Sequence, residues 1–125
     1  MNPQIIETDS SKTWLGEDGI LRGIVKPGHE MTGADAEENL ALTANLCGGC
    51  PCPILVDLRA TKGFSREARV TYAGKSGSFS AVALLIHSSL SRILGSFLMG
   101  LNKPVIPLRL FTDEEEALVW LKGYL

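Results

Sequence analysis

The sequence predicts a single α/β domain: a mixed central sheet with an N-terminal hairpin and flanking helices, in the order ββαβαβαβα. Three observations carry this. Two short, almost wholly apolar runs, "PILVDL" (53–58) and "AVALLIH" (81–87), suit strands buried on both faces of a sheet. A charged, helix-forming segment lies between them, as a parallel crossover requires. The chain has 125 residues, which fits one domain with a core of useful size.

The elements follow in order. Thr13, Leu15 and their neighbours form a strand that leads into "GEDG". There Asp18-Gly19 makes a hairpin turn, and residues 20–25 return as the second strand. "KPGHEMTG" (26–33) reads as a loop. Thr32 is the predicted cap of the next helix, with Asp35 as its capping-box partner. Ala36, Leu40, Ala44 and Cys47 are expected on that helix's inner face, and Gly48 ends it by accepting a left-handed backbone. After "PILVDL", a helix is predicted from Ser65 to about Lys75. After "AVALLIH", Leu90, Ile93, Leu94, Phe97, Leu98 and Leu101 make one apolar arc, capped by Ser88 or Ser89. "PVIPLRLF" (104–111) is the last strand. Pro107 cannot donate to a ladder, so this strand belongs at an edge or beside a bulge. Thr112 and Glu115 are expected to box the final helix, whose Leu118, Leu121 and Leu125 face inward.

Composition narrows the function classes. The chain is 45% hydrophobic and 21% charged, as ordinary globular domains are. Its net charge of −2 argues against a nucleic-acid binder. No run approaches the roughly 18 apolar residues of a membrane span, and the first ten residues lack the pattern of a secretory signal. A cytoplasmic location is expected. Three cysteines are an odd number and do not suggest a disulfide framework.

"VDLRATKGFSREAR", the long block "VALLIHSSLSRILGSFLMGLNKPVIPLRLFTDEEEALVWL" and the leading hairpin carry a resemblance over nearly the whole chain from Trp14 onward. They resemble small bacterial proteins of the STAS type. These are the anti-sigma-factor antagonists with the stage II sporulation protein AA-like fold, which the lipid-binding domain of Sec14-like proteins shares. The resemblance implies a regulatory domain without catalytic activity that works through protein–protein contacts; a homodimer is also expected, through the association face described below. The Sec14-like relatives imply an alternative, a binder of a lipid or other small apolar or anionic ligand. In the antagonists an Asp-Ser pair opens the helix after the first buried strand, and its serine is phosphorylated. Here Ser65 stands at the aspartate position and Arg66 at the serine position, so the resemblance does not carry that switch to this chain.

Four residues form a candidate anion or regulatory site: Arg59, Lys62, Ser65 and Arg66. Between Arg59 and Lys75 lie five cations (with Arg69) and one acid, Glu67. The loop follows a parallel strand, where open α/β sheets bind ligands. Ser65 itself is read first as a helix N-cap and the basic cluster first as a solvated face. A second candidate is an association face around Arg92, Gly95 and Met99, where a glycine weakens a helix beside an outward methionine. His29 and His87 assemble no nucleophile–base–acid set. Cys47 and Cys50 have C-x-x-C spacing but end a helix instead of opening one, the wrong end of the dipole for thiol activation. A thiol-redox or hydrolytic enzyme is therefore the least favoured class. No cofactor and no metal are predicted.

Overall fold

The structure, a computed structural model, describes residues 4–74, 79–87 and 106–125. Its strands are β1 (Ile6–Glu7), β2 (Ser11–Leu15), β3 (Leu21–Val25), β4 (Glu30–Met31), β5 (Cys52–Asp57), β6 (Gly63–Phe64), β7 (Phe79–Leu85) and β8 (Leu108–Phe111). The described helices are α1 (Gly33–Leu46), α2 (Arg66–Gly74) and α3 (Glu114–Lys122). Six strands form one sheet in the order β1-β2-β3-β5-β7-β8, and β4 pairs β6 in a separate two-stranded ladder. The first three strands run antiparallel; β3, β5, β7 and β8 run parallel. This is the mixed α/β sheet that the sequence predicts.

The hairpin turns where Asp18-Gly19 predicts it. Gly19 has φ +87°, and Asp18 Oδ1 accepts from the Ile20 N–H at 3.1 Å while the carboxylate pairs with Arg22. The two apolar runs become β5 and β7, adjacent and parallel. Their continuous apolar character has a direct cause. Ile54 and Val56 point to the α1–α2 layer, packing with Leu21, Leu40, Leu58 and Ala68, whereas Leu55 and Leu85 pack against Ala117 and Leu121 of α3. Val56 is half-buried, whereas each of the buried Ile54, Leu55 and Leu85 contributes about 1.5–3 kcal/mol.

Several details differ from the sequence reading. β1 and the β4–β6 ladder are too short for any periodicity to reveal. On α1 the buried set is Ala36, Leu40 and Thr43, and Ala44 is exposed. At 100° per residue, position 43 returns within about 20° of position 36 and position 44 does not. Thr43 enters the interior because its hydroxyl donates to the Asn39 and Leu40 carbonyls. The Thr32–Asp35 capping box forms as predicted, and Gly48 follows the helix at φ +63°.

The cap of α3 is Asp113, whose carboxylate accepts from the Glu115 N–H at 2.9 Å, and not Thr112. Leu125 is 65% exposed instead of facing inward, and Ala117 takes the buried position one turn before Leu121. β8 lies at the sheet edge, one of the two places, edge or bulge, expected from Pro107; Pro107 itself stands just before the strand, and its carbonyl accepts from the Val82 N–H. The predicted helix of residues 88–101, with Arg92, Gly95 and Met99, lies outside the described residues, as does Lys75.

Candidate functional site

The basic loop sits at the carboxyl ends of β3 and β5, and backbone chemistry builds it. The loop after β5 runs beside the loop after β3. Gly28 N–H donates to the Ala60 carbonyl at 2.9 Å, and the His29 carbonyl accepts from the Lys62 N–H and the Thr61 hydroxyl, both at 3.1 Å. The β4–β6 ladder continues this lacing, with Glu30 opposite Gly63 and Met31 opposite Phe64. Gly28 at φ +70° and Gly63 at φ +143° occupy backbone conformations that a side chain would strain. Ser65 N–H then donates to the Met31 carbonyl at 2.9 Å, which places the start of α2.

The opening turn of α2 is capped by Ser65. Its Oγ accepts from the Ala68 N–H at 3.1 Å. The hydroxyl is half-buried, and this bond occupies it within the helix start. Arg66 and Lys62 are exposed, Arg69 is half-buried, and Val70, one turn beyond Arg66, is 62% exposed.

Arg59 is held differently from the other cations. Its Nε and Nη2 donate to the two oxygens of Asp57 at 3.0 and 2.8 Å, a bidentate pair, and its backbone N–H adds a third bond to Asp57 Oδ1. Burial pushes the Asp57 carboxyl up, but the Arg59 bonds outweigh it and hold the carboxyl below its ordinary range. Arg59 also feels Glu114 at the start of α3, and Asp57 feels His87, which is exposed just past β7. The structure thus ties Arg59 to the end of β5, while Lys62, Ser65 and Arg66 line the adjoining loop and helix start. Arg59 and Asp57 are two residues apart on either side of a strand end; strand geometry alone could have suggested the pair.

A second pairing also escaped the sequence reading. His29 Nε2 lies 2.7 Å from Asp35 Oδ2, the same oxygen that accepts from the Thr32 N–H in the capping box. Burial raises the Asp35 carboxyl, and the His29 and Thr32 contacts together bring it below its usual range. The histidine therefore fastens the loop after β3 to the first turn of α1. The cysteines stand elsewhere, at the amino end of β5: Cys47 caps α1, Cys50 is exposed and Cys52 begins β5. Among the described residues no three His, Cys, Asp or Glu side chains are grouped to hold a metal ion, and no helix is long and apolar enough to cross a membrane.

Solved structures share this architecture. A protein of the DUF3478 family with a SpoIIAA-like fold from Shewanella loihica PV-4 matches with a TM-score of 0.57 at 19% identity, over 96% of this chain and 92% of that one. The anti-sigma factor antagonist SpoIIAA in its unphosphorylated form gives 0.56 at 16% identity, over 98% and 99%. An anti-sigma factor antagonist from Mycobacterium paratuberculosis gives 0.59 at 15% identity, over 97% and 93%. No curated protein matches the chain. At these identities the likeness establishes the SpoIIAA-like, STAS-type fold and nothing about activity. Residues 13–125 match a family model that spans the hairpin, the basic loop and the final helix alike, and the chain accordingly belongs to the family described as Domain of unknown function (DUF7793).

Proposed function

We propose that this chain is a non-catalytic regulatory domain that acts by binding another protein through the loop after β5 and the outer face of α2. The observation that carries the reading is the lacing of that loop. Bonds from Gly28, Thr61, Lys62 and Ser65, with the β4–β6 ladder, hold it in one shape. A loop already ordered loses less conformational entropy on association. Its exposed side chains include the cations Arg59, Lys62 and Arg66 and the apolar Val70, against a single exposed acid, Glu67. They suit a partner surface that is acidic around an apolar spot.

The anti-sigma factor antagonists that share the fold supply the class of function, binding between proteins. Ser65 enters as a positioning residue for the α2 start, since its hydroxyl is already bonded to Ala68. On this reading the domain is cytoplasmic, homodimeric and independent of cofactors, and it does not bind nucleic acid.

Charge reversal tests it. The doubly substituted Lys62→Glu, Arg66→Glu protein and the wild type would be used as bait against extract of the native cell. The wild type should retain a partner that the double variant loses, at unchanged melting temperature. Equal capture by both proteins would exclude this surface. A small ligand co-purifying with the wild type in native mass spectrometry, and absent from the variant, would instead favour the lipid- or anion-binding alternative.

A further inference from the structure

His29 is where three segments meet. Its backbone N–H donates to the Lys26 carbonyl at 3.2 Å, and its own carbonyl accepts from the Lys62 N–H and the Thr61 hydroxyl. Its ring reaches the other way. Nε2 lies 2.7 Å from Asp35 Oδ2, the oxygen that also accepts from the Thr32 N–H in the capping box of α1. One residue thus holds the loop after β5 with its backbone and the first turn of α1 with its side chain. Water reaches the contact only in part: the His29 side chain is 28% exposed and that of Asp35 18%.

The strength of the ring contact depends on a proton. A neutral imidazole gives the carboxylate an ordinary N–H bond, and only in one tautomer. A protonated imidazole carries the opposite charge, and charge-assisted bonds are roughly twice as strong as neutral ones. Partial burial of the ring opposes the charged form, but a carboxylate in direct contact favours it. Histidine is the side chain whose charge ordinarily changes between about pH 5 and 8. Asp35 is ionised there: burial raises its carboxyl, and the His29 and Thr32 bonds outweigh burial and hold it below the usual range. Among the described residues, the other groups around the contact are of types that titrate outside that window. Lys26 is paired with Glu7 at 2.7 Å, Glu30 and Lys62 are exposed, and Glu67 of α2 stands against Gly33 at the start of α1. The Tyr72 phenol, pushed up by burial and then by Asp35, stays protonated.

We propose that His29 is a proton-dependent latch on the loop that carries Lys62: gaining a proton tightens the ring on Asp35 and orders the loop, and losing it lets the loop open. His29 is then a positioning residue, acting through its carbonyl on Lys62 and Thr61. What the ordering does for a partner rests on the function proposed above, with Lys62 and Arg66 held in place more firmly at mildly acidic pH. The ordering itself does not depend on that function.

The test is hydrogen exchange on the full chain, followed by nuclear magnetic resonance at about pH 5.5 and about pH 7.5, on either side of the histidine range. The intrinsic pH dependence of exchange is divided out. The reporter is the Lys62 N–H, bonded to the His29 carbonyl, read relative to the Val82 N–H, which is bonded to Pro107 away from the loop. Protection at Lys62 should be about fivefold higher at the lower pH, the difference between a charge-assisted and a neutral bond. The midpoint of this step should coincide with the titration of the His29 ring protons. Asp35→Asn, which can still accept the Thr32 bond, and His29→Gln should each remove the step. His87→Gln, at the other histidine of the chain, should keep it. Equal protection at both pH values, a step that survives Asp35→Asn, or one that follows His87 would overturn the latch. The wild-type midpoint decides the matter even if a substituted chain folds poorly. A flat Lys62 amide beside successful partner capture ends the latch alone. A clear step beside failed capture supports the latch and counts against the function proposed above.

Discussion

Ser65 shows what one side chain contributes at this site. Its Oγ accepts from the Ala68 N–H and its backbone N–H donates to Met31, so it joins the β4–β6 ladder to α2. Ser65→Ala should lower stability by about 0.5–2 kcal/mol in urea titration, and Ser65→Asp much less, because a carboxylate caps equally and suits the positive helix end. A serine that served only as a modification site would leave stability unchanged in the alanine variant. Asp35 makes a second residue-scale prediction. Its carboxyl is held below the unfolded value of about 3.9. The linked stability is therefore present above that value and is lost as pH falls through the lower folded one. Acid titration of the fold should show a loss setting in below about pH 4 that Asp35→Asn blunts. An identical acid limb in the variant would mean that the His29–Asp35 contact contributes nothing.

Among the elements, the helices separate what a pattern states from what packing selects. For α3 the pattern S/T-x-x-E pointed to Thr112, yet the chain begins the helix one residue later, with Asp113 in extended conformation at φ −120° and ψ 123°. A charged acceptor at that position meets the helix dipole more strongly than a hydroxyl does. Asp113→Ala should cost about 0.5–2 kcal/mol in thermal or chemical melts, while Thr112→Ala should stay within about 0.5 kcal/mol of wild type. The reverse ranking would restore the sequence reading of the cap. On α1 the comparison is between Thr43 and Ala44. Composition favours alanine as the inward residue, but helical angle and the carbonyls of Asn39 and Leu40 decide for threonine.

At the scale of the molecule, the sheet divides the labour. α1 and α2 cover one face, and α3 packs on the other through Ala117 and Leu121. The carboxyl ends of the parallel strands gather the laced loops, the Asp57–Arg59 pair and His87. The cysteines lie at the opposite end of β5. The predicted self-association through Arg92, Gly95 and Met99 rests on sequence alone. Met99→Glu should move sedimentation toward monomer without loss of helical circular dichroism. A wild type that is monomeric at high concentration would end that proposal.

The sequence by itself determined the layer structure. Continuous apolar runs at 53–58 and 81–87 can be satisfied only by burial on both faces, and that places them inside a helix-covered parallel sheet. It also determined the hairpin and the capping box at Thr32, because each depends on the local chemistry of a few adjacent residues. Only the tertiary structure decided which distant groups meet. Met31 pairs with Phe64, and His29 receives Thr61, across about thirty residues of chain that carry no periodic signal for the contact. Side-chain pairings behave in the same way. Arg59 goes to Asp57 at the end of a strand, and His29 goes to Asp35 at the start of α1. Residue spacing records distance along the chain, and a reversal in the backbone changes which of those residues are neighbours.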